Sequence, residues 1–277
     1  MKLLIKPEGG MAGDMFAAAL VSAGADFNLM REAMTAAGEK LGSTRIDLQQ
    51  TTDGSSSLSI KLNSRRNHLG GKEAKVILAE LFDTFDIKEK YRDFGIKILE
   101  ILTKAEKRAH SEYHIVIEGD HDHSHSHSHE HKHGHSHHHP HSHNHDHEEG
   151  EETFLHEAQD IVIDIMGAVS GMQQLGVEPE ARLLCPVSVG GGHVHCSHGT
   201  LSIPAPATSV ILEQYRIQWK KGPIERELFT PTGAAILAAL GSQMADPDAH
   251  QNVKIAAAGK SRGTKVLDIP PFELYIY

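Results

Sequence analysis

Apolar residues recur along the chain with two periods, and the changes between them mark out its elements. Leu3-Leu4-Ile5, bounded by Lys2 and Lys6, reads as a short strand, followed by a turn with glycines at 9, 10 and 13. Asp14 opens a helix through Ala23, and a second helix runs from Asp26, a suitable capping side chain, to Lys40. Apolar and polar residues alternate over 46–52 and 58–62 across Asp53-Gly54-Ser55, which predicts a β-hairpin. Helical spacing returns over 71–82 and 88–110. It resumes over 154–175, where Ile161, Ile165, Ala168, Val169 and Met172 fall on one face. A strand over 183–189, a glycine-rich loop and a helix over 207–215 come next. A strand over 225–229, a helix over 232–240 and strands over 253–258 and 273–277 complete the pattern. The mixture predicts an α+β or α/β protein in which helices pack on a mixed sheet.

A tract with no apolar period divides this pattern. Fifteen histidines lie between His121 and His147, mostly alternating with Ser, Asp, Glu and Gly. Such a composition buries too little apolar surface to offset the entropy of ordering, so without metal the tract is expected to be disordered. Residues 1–118 and 153–277 are then two α/β segments of one core domain, and 119–152 is a loop inserted between them. Imidazole is the commonest protein ligand for borderline divalent metals and is largely neutral at pH 7. The tract as a whole is a metal trap: His121, His123, His125, His127, His129, His131, His133, His135, His137, His138, His139, His141, His143, His145 and His147.

Charge narrows the partners. The formal net charge is -10, and its acidic excess is concentrated beside the tract at Asp120, Asp122, Glu130, Asp146, Glu148, Glu149, Glu151 and Glu152. Nucleic acid demands a basic face, so this balance suits a cation instead. No apolar run is long enough for an export signal or a membrane span, which predicts a cytoplasmic protein without a membrane partner. Two cysteines, Cys185 and Cys196, do not make a disulfide framework and read as reduced thiols.

Four constellations carry candidate chemistry. Gly190 to Gly192 free the backbone for an irregular loop, after which His193, His195, Cys196 and His198 offer borderline and soft donors within six residues. Their spacing is no standard zinc signature, and a solvated loop is the plainer alternative. His156, Asp160 and Asp164 stand at i, i+4 and i+8 of the helix expected over 154–175, with Glu157 beside them. That face suits a cation, although carboxylates in a first helical turn also simply favour the helix dipole. Asp164 is harder to dismiss, because it sits within Ile161-Val162-Ile163 and Ile165-Met166. The turn with Gly10, Gly13 and Asp14 follows a strand and opens a helix, a geometry in which backbone amides can cradle an anion. Thr230, Pro231, Thr232 and Gly233 read as a helix cap with Pro at the first helical position.

In register, these motifs resemble the LarC nickel-insertion proteins. The resemblance rests on the stretches from Gly10 to Met15, Phe154 to Glu157, Asp160 to Ile165, Pro186 to Gly190, Cys196 to Gly199, Pro204 to Thr208 and Thr230 to Ala235, in the family's order. It implies a nickel insertase of the lyase class that places nickel into pyridinium-3,5-bisthiocarboxylic acid mononucleotide. The product is the nickel-pincer cofactor of lactate racemase-type enzymes, held by one metal–carbon and two metal–sulfur bonds. By resemblance, His156, Glu157, Asp160, Asp164, Cys196 and His198 carry the reaction, while Gly10, Gly13, Asp14, Thr230, Thr232 and Gly233 hold the nucleotide. Nickel collects on the tract and on His193 and His195. Full-length members continue beyond the stretch from Gly259 to Gly263 into a carboxy-terminal domain to which CTP binding is ascribed. CTP with Mg or Mn is therefore expected to act through a separate LarC-type subunit or domain, while the sequence leaves open whether the chain forms a homo-oligomer. The alternative is a non-catalytic nickel store or a metallochaperone supplying a separate insertase.

Overall fold

The computed structural model describes residues 1–64, 69–113, 154–155, 160–196, 199–241 and 243–277. In chain order the first elements are β1 (Leu3–Lys6), α1 (Gly13–Ser22), α2 (Phe27–Glu39), β2 (Gly42–Gln50), β3 (Ser56–Ser64), β4 (Leu69–Gly70), α3 (Gly71–Thr84) and α4 (Glu89–Tyr113). Then come β5 (Phe154–Leu155), α5 (Ile161–Leu175), β6 (Ala181–Leu183), β7 (Val187–Gly190), β8 (His193–Cys196), β9 (Gly199–Ser202), α6 (Pro206–Gln214), β10 (Trp219–Lys221), α7 (Pro231–Leu240), β11 (Ala257–Ser261) and β12 (Phe272–Ile276).

A six-stranded sheet, ordered β2-β3-β11-β12-β1-β6, forms one layer. It is mixed: β1 runs antiparallel to β12 and parallel to β6, while β2 and β3 form the antiparallel hairpin. Helix α1 lies on β3 and β11, α2 packs against β2, and α5 packs beneath α1 and α2. On its far side α5 meets α4, which also carries α6 and α7. With neighbours on both sides, every residue of α5 from Ile161 to Met172 is buried. A helix apolar on all sides is what such a central position requires, and each fully buried Ile, Val or Met contributes roughly 1.5–3 kcal/mol of transfer free energy. Small residues bring the layers together. A Cβ on Gly259 would lie 2.0 Å from the Ala19 carbonyl oxygen, so α1 approaches β11 at van der Waals contact with the backbone.

Several sequence expectations change in the folded chain. The helix expected over 154–175 begins only at Ile161, because Phe154 and Leu155 pair as a strand with Gly70 and Leu69. The strand expected over 183–189 is two strands in different sheets, since Pro186 cannot donate to a ladder that would run through it. Residues after Gly192 form the β8–β9 hairpin rather than an irregular loop. The segment 225–229 makes only isolated bridges, Glu227 with Gly190 and Phe229 with Met11. The strand expected over 253–258 lies further on, at Ala257–Ser261, where β3 and β12 offer ladder partners. Asp26 does cap α2, accepting from the Asn28 and Leu29 amides. Asp14, by contrast, lies inside the first turn of α1, whose N-cap is Ala12. The expected histidine-rich loop lies outside the described residues. Among the described residues, no helix is long and apolar enough to cross a membrane.

Candidate functional site

A cavity of about 460 Å³ opens where four helices begin. Gly13 and Asp14 of α1, Asp160 and Asp164 of α5, Pro206 and Ala207 of α6, and Pro231 and Thr232 of α7 all line it. Its size is within the range of small-molecule sites.

The turn after β1 is fixed by backbone bonds to the segment leading into α7. The Met11 amide donates to the Leu228 carbonyl at 2.8 Å, and the Thr230 amide donates to the Met11 carbonyl at 3.2 Å. Gly10 has φ +86°, and a Cβ there would fall 2.0 Å from the Leu228 oxygen. A Cβ on Gly233 would fall 2.2 Å from the Met11 oxygen. Both glycines are thus spacing residues behind the cavity wall, where any side chain would separate the two segments. Thr230 caps α7, its Oγ1 accepting from the Gly233 amide at 3.2 Å and lying 3.0 Å from Thr232 Oγ1. Here the sequence reading of a Thr cap followed by Pro holds.

Asp164 is buried at the centre of this wall, 3% exposed. Its Oδ2 occupies the space a Cβ on Gly13 would take, 2.0 Å from that position. Thr232 donates a hydrogen bond to the Asp164 carboxylate, whereas Oδ1 has no hydrogen-bond partner. Loss of water pushes the Asp164 carboxyl well above the usual carboxylate range, the charges of Asp160 and Asp14 push it further, and the Thr232 hydrogen bond opposes them. Burial likewise raises Asp160, at the N-cap of α5. Asp14 is half-buried at the wall, its Oδ1 accepting from the Met15 amide at 2.7 Å. Desolvation, opposed by that hydrogen bond and reinforced by Asp160, pushes Asp14 up to about 7. Three carboxylates therefore feel one another across the start of two helices, and the positive ends of those helices moderate their repulsion.

The remaining walls come from distant segments. Glu106 reaches in from α4, where it is 7% exposed, and Glu227 from the segment before α7. Val194 and Leu201 of the β8–β9 hairpin add an apolar side, and Arg262, Thr264 and Lys265 follow β11.

Of the residues singled out from sequence, Gly13, Asp14, Asp160, Asp164, Thr230 and Thr232 converge on the cavity, with Gly10 and Gly233 packed behind it. His193 is exposed on β8, next to the cavity-lining Val194. His156, Glu157, His198 and the tract from His121 to His147 lie outside the described residues, as do the side chains of His195 and Cys196. Sequence reasoning missed Glu106, Glu227, Arg262 and Lys265. Glu106 had left a signal: it follows Leu102 by four residues and precedes Ala109 by three, a charged residue on the buried face of α4. Among the described residues, no group of three His, Cys, Asp or Glu side chains is arranged to hold a metal ion.

Comparison with known proteins places this chain in a family. The description "nickel insertion protein" matches residues 3–118 and 138–272. A protein of Methanothrix thermoacetophila, provisionally named a nickel insertion protein, is 29% identical over 282 residues, covering 97% of this chain and 57% of its own. The pyridinium-3,5-bisthiocarboxylic acid mononucleotide nickel insertion protein of Desulfitobacterium hafniense is 30% identical over 266 residues, covering 94% of this chain and 54% of its own. The chain therefore spans a little over half the length of these relatives. No solved structure matches it. The family match includes the glycine turn and all three cavity aspartates on the two sides of the tract, and the chain belongs to the nickel insertion protein family.

Proposed function

We propose that the chain inserts nickel into pyridinium-3,5-bisthiocarboxylic acid mononucleotide, the molecule for which its Desulfitobacterium relatives are named. The product is the nickel-pincer cofactor of lactate racemase-type enzymes. The observation that carries this reading is the cavity's open acidic wall, with Asp14, Asp160 and Asp164 at the N-termini of α1 and α5 and a buried, unpartnered Asp164 oxygen.

The chemistry follows from donor preference. Carboxylate oxygens are hard donors and nickel is a borderline ion, so an incomplete carboxylate shell holds it loosely. Two thiocarboxylate sulfurs of a bound mononucleotide are softer donors, and transfer from wall to substrate is downhill. Formation of the metal–carbon bond breaks a ring C–H bond, and the released proton passes to a carboxylate of the wall. The histidine tract, with His193 and His195, supplies the metal, while His156, Glu157, Cys196 and His198 belong to the same reaction by resemblance. CTP with Mg or Mn enters as the energy source through a separate carboxy-terminal-type domain or subunit, and no cavity residue is assigned to it.

Reconstitution tests the proposal. The purified chain, nickel, mononucleotide and CTP, with or without the carboxy-terminal-type partner, should yield metallated product in at least one mixture, measured by mass spectrometry. Product in neither mixture would overturn the insertase reading and leave a nickel store or metallochaperone. Deleting residues 121–147 should lower bound nickel yet leave slow insertion at high nickel concentration. Complete loss at saturating metal would instead make the tract the reaction site.

A further inference from the structure

The cavity is electrically lopsided, and the imbalance orients the substrate. Five lining residues are acidic, namely Asp14, Glu106, Asp160, Asp164 and Glu227. Among the described lining residues the only cations are Arg262 and Lys265, both in the segment after β11. Arg262 is already committed. Its guanidinium binds Asp53, with Nε donating to Oδ2 at 2.8 Å, and also donates to the Ile269 carbonyl. The Asp53 carboxyl is accordingly held well below the usual carboxylate range. Lys265 has neither an ion pair nor a hydrogen bond among the described residues, and it is exposed while still lining the cavity. It therefore stands at the mouth.

The segment carrying Lys265 is held by its base. Ser261 Oγ donates to the Met15 carbonyl at 2.7 Å, the Arg262 amide donates to the Ser56 carbonyl at 2.9 Å, and Ser57 Oγ donates to the Gly263 carbonyl at 3.3 Å. These bonds tie residues 261–263 to the start of α1 and to β3, and Thr264 and Lys265 follow directly on that anchored base. The Thr264 hydroxyl, exposed beside Lys265, adds a neutral donor.

We propose that Lys265, with the Thr264 hydroxyl, is the subsite for the phosphomonoester of the mononucleotide. The substrate then binds with its phosphate at the mouth and its bisthiocarboxylate ring inward; this rests on the substrate reading above. A phosphomonoester carries about -1.5 to -2 charges at neutral pH. Placed against the inner wall, it would meet three carboxylates that have already taken up the positive ends of α1 and α5. At the mouth it meets the cavity's one free described cation and leaves the acidic wall to the metal. Arg262 serves as a positioning residue for the loop.

The test compares binding of the mononucleotide and its dephosphorylated nucleoside to the metal-free full chain by calorimetry. Wild type should prefer the mononucleotide by about tenfold or more, the scale of a charge-assisted hydrogen bond. Lys265→Gln should abolish that preference by weakening the mononucleotide alone, Thr264→Val should reduce it, and Lys265→Arg should retain most of it. A preference that survives in Lys265→Gln, or equal weakening of both compounds, would overturn the subsite while the substrate reading stands. Failure of wild type to bind either compound would overturn both.

Discussion

Asp164→Asn is expected to make the metal-free chain more stable at about pH 8 and unable to insert nickel. Asp164 is buried with one oxygen unpartnered, and neighbouring Asp160 and Asp14 oppose its ionisation. A carboxyl raised in the folded state binds its proton more tightly there than in the unfolded chain. The resulting stability is complete below the unfolded value of 3.8 and is lost as pH rises through the folded value, which for Asp14 is about 7. The melting temperature of the metal-free wild type should accordingly fall between about pH 5 and about pH 8. Asparagine removes the charge at the centre of the cluster, so the variant should show a shallower decline. It should melt roughly 3–6 °C higher than wild type at about pH 8, from relief of about 1–2 kcal/mol. Asp53 acts with the opposite sign, since Arg262 lowers its carboxyl, but its contribution is lost at lower pH, below about 4. Calorimetry across pH with a parallel insertion assay checks both halves. A variant that is less stable than wild type at the higher pH would show that the carboxylate is satisfied by partners rather than held under strain for a ligand.

Gly13→Ala is expected to cost about 2–3 kcal/mol and to abolish insertion, because the new methyl group and the Asp164 carboxylate cannot share one space. The added Cβ would lie 2.0 Å from Asp164 Oδ2, 2.3 Å from its Cγ and 2.7 Å from its Cβ. Rotating the carboxylate away cannot relieve the last of these contacts, so α1 and α5 must separate. They meet along Ala17, Leu20, Gly167 and Gly171, where a shift opens the core. Gly263→Ala is the matching control, since its nearest neighbour would be Met15 Sδ at 3.8 Å, an ordinary contact. Chemical denaturation of the two variants separates the cases. Equal stability in both would mean that α1 and α5 are not fixed at this spacing.

Both predictions concern residues the sequence had marked for different reasons. Asp164 was conspicuous because a charge among isoleucines needs an explanation, and burial supplied one. Gly13 looked like turn punctuation, and only the structure showed that its missing side chain makes room for Asp164. Glu106 was legible on the buried face of α4 but was not read. Lys265 left no local signal, because nothing in its neighbours says which wall it will face. The longer helices and the hairpin were readable from periodicity, since each is decided by contacts within a few residues. The terminal strands β1 and β12 were readable too, but several short internal strands were not. β6, β7 and β11 take their limits from partners far away in the chain, and β11 begins beyond the expected segment because β12 and β3 meet it there.

By itself the sequence determined the family and marked out the residue types from which a metal-handling site is proposed. Composition, donor type and the order of motifs are properties of the chain that do not depend on how it folds. Tertiary structure alone decided that turns separated by some 150 to 220 positions form one wall, with Asp14, Asp164 and Thr232 facing one cavity and Lys265 at its mouth. Convergence of this kind depends on how helices pack, and helix packing is set by the summed shape of many small residues rather than by any single motif.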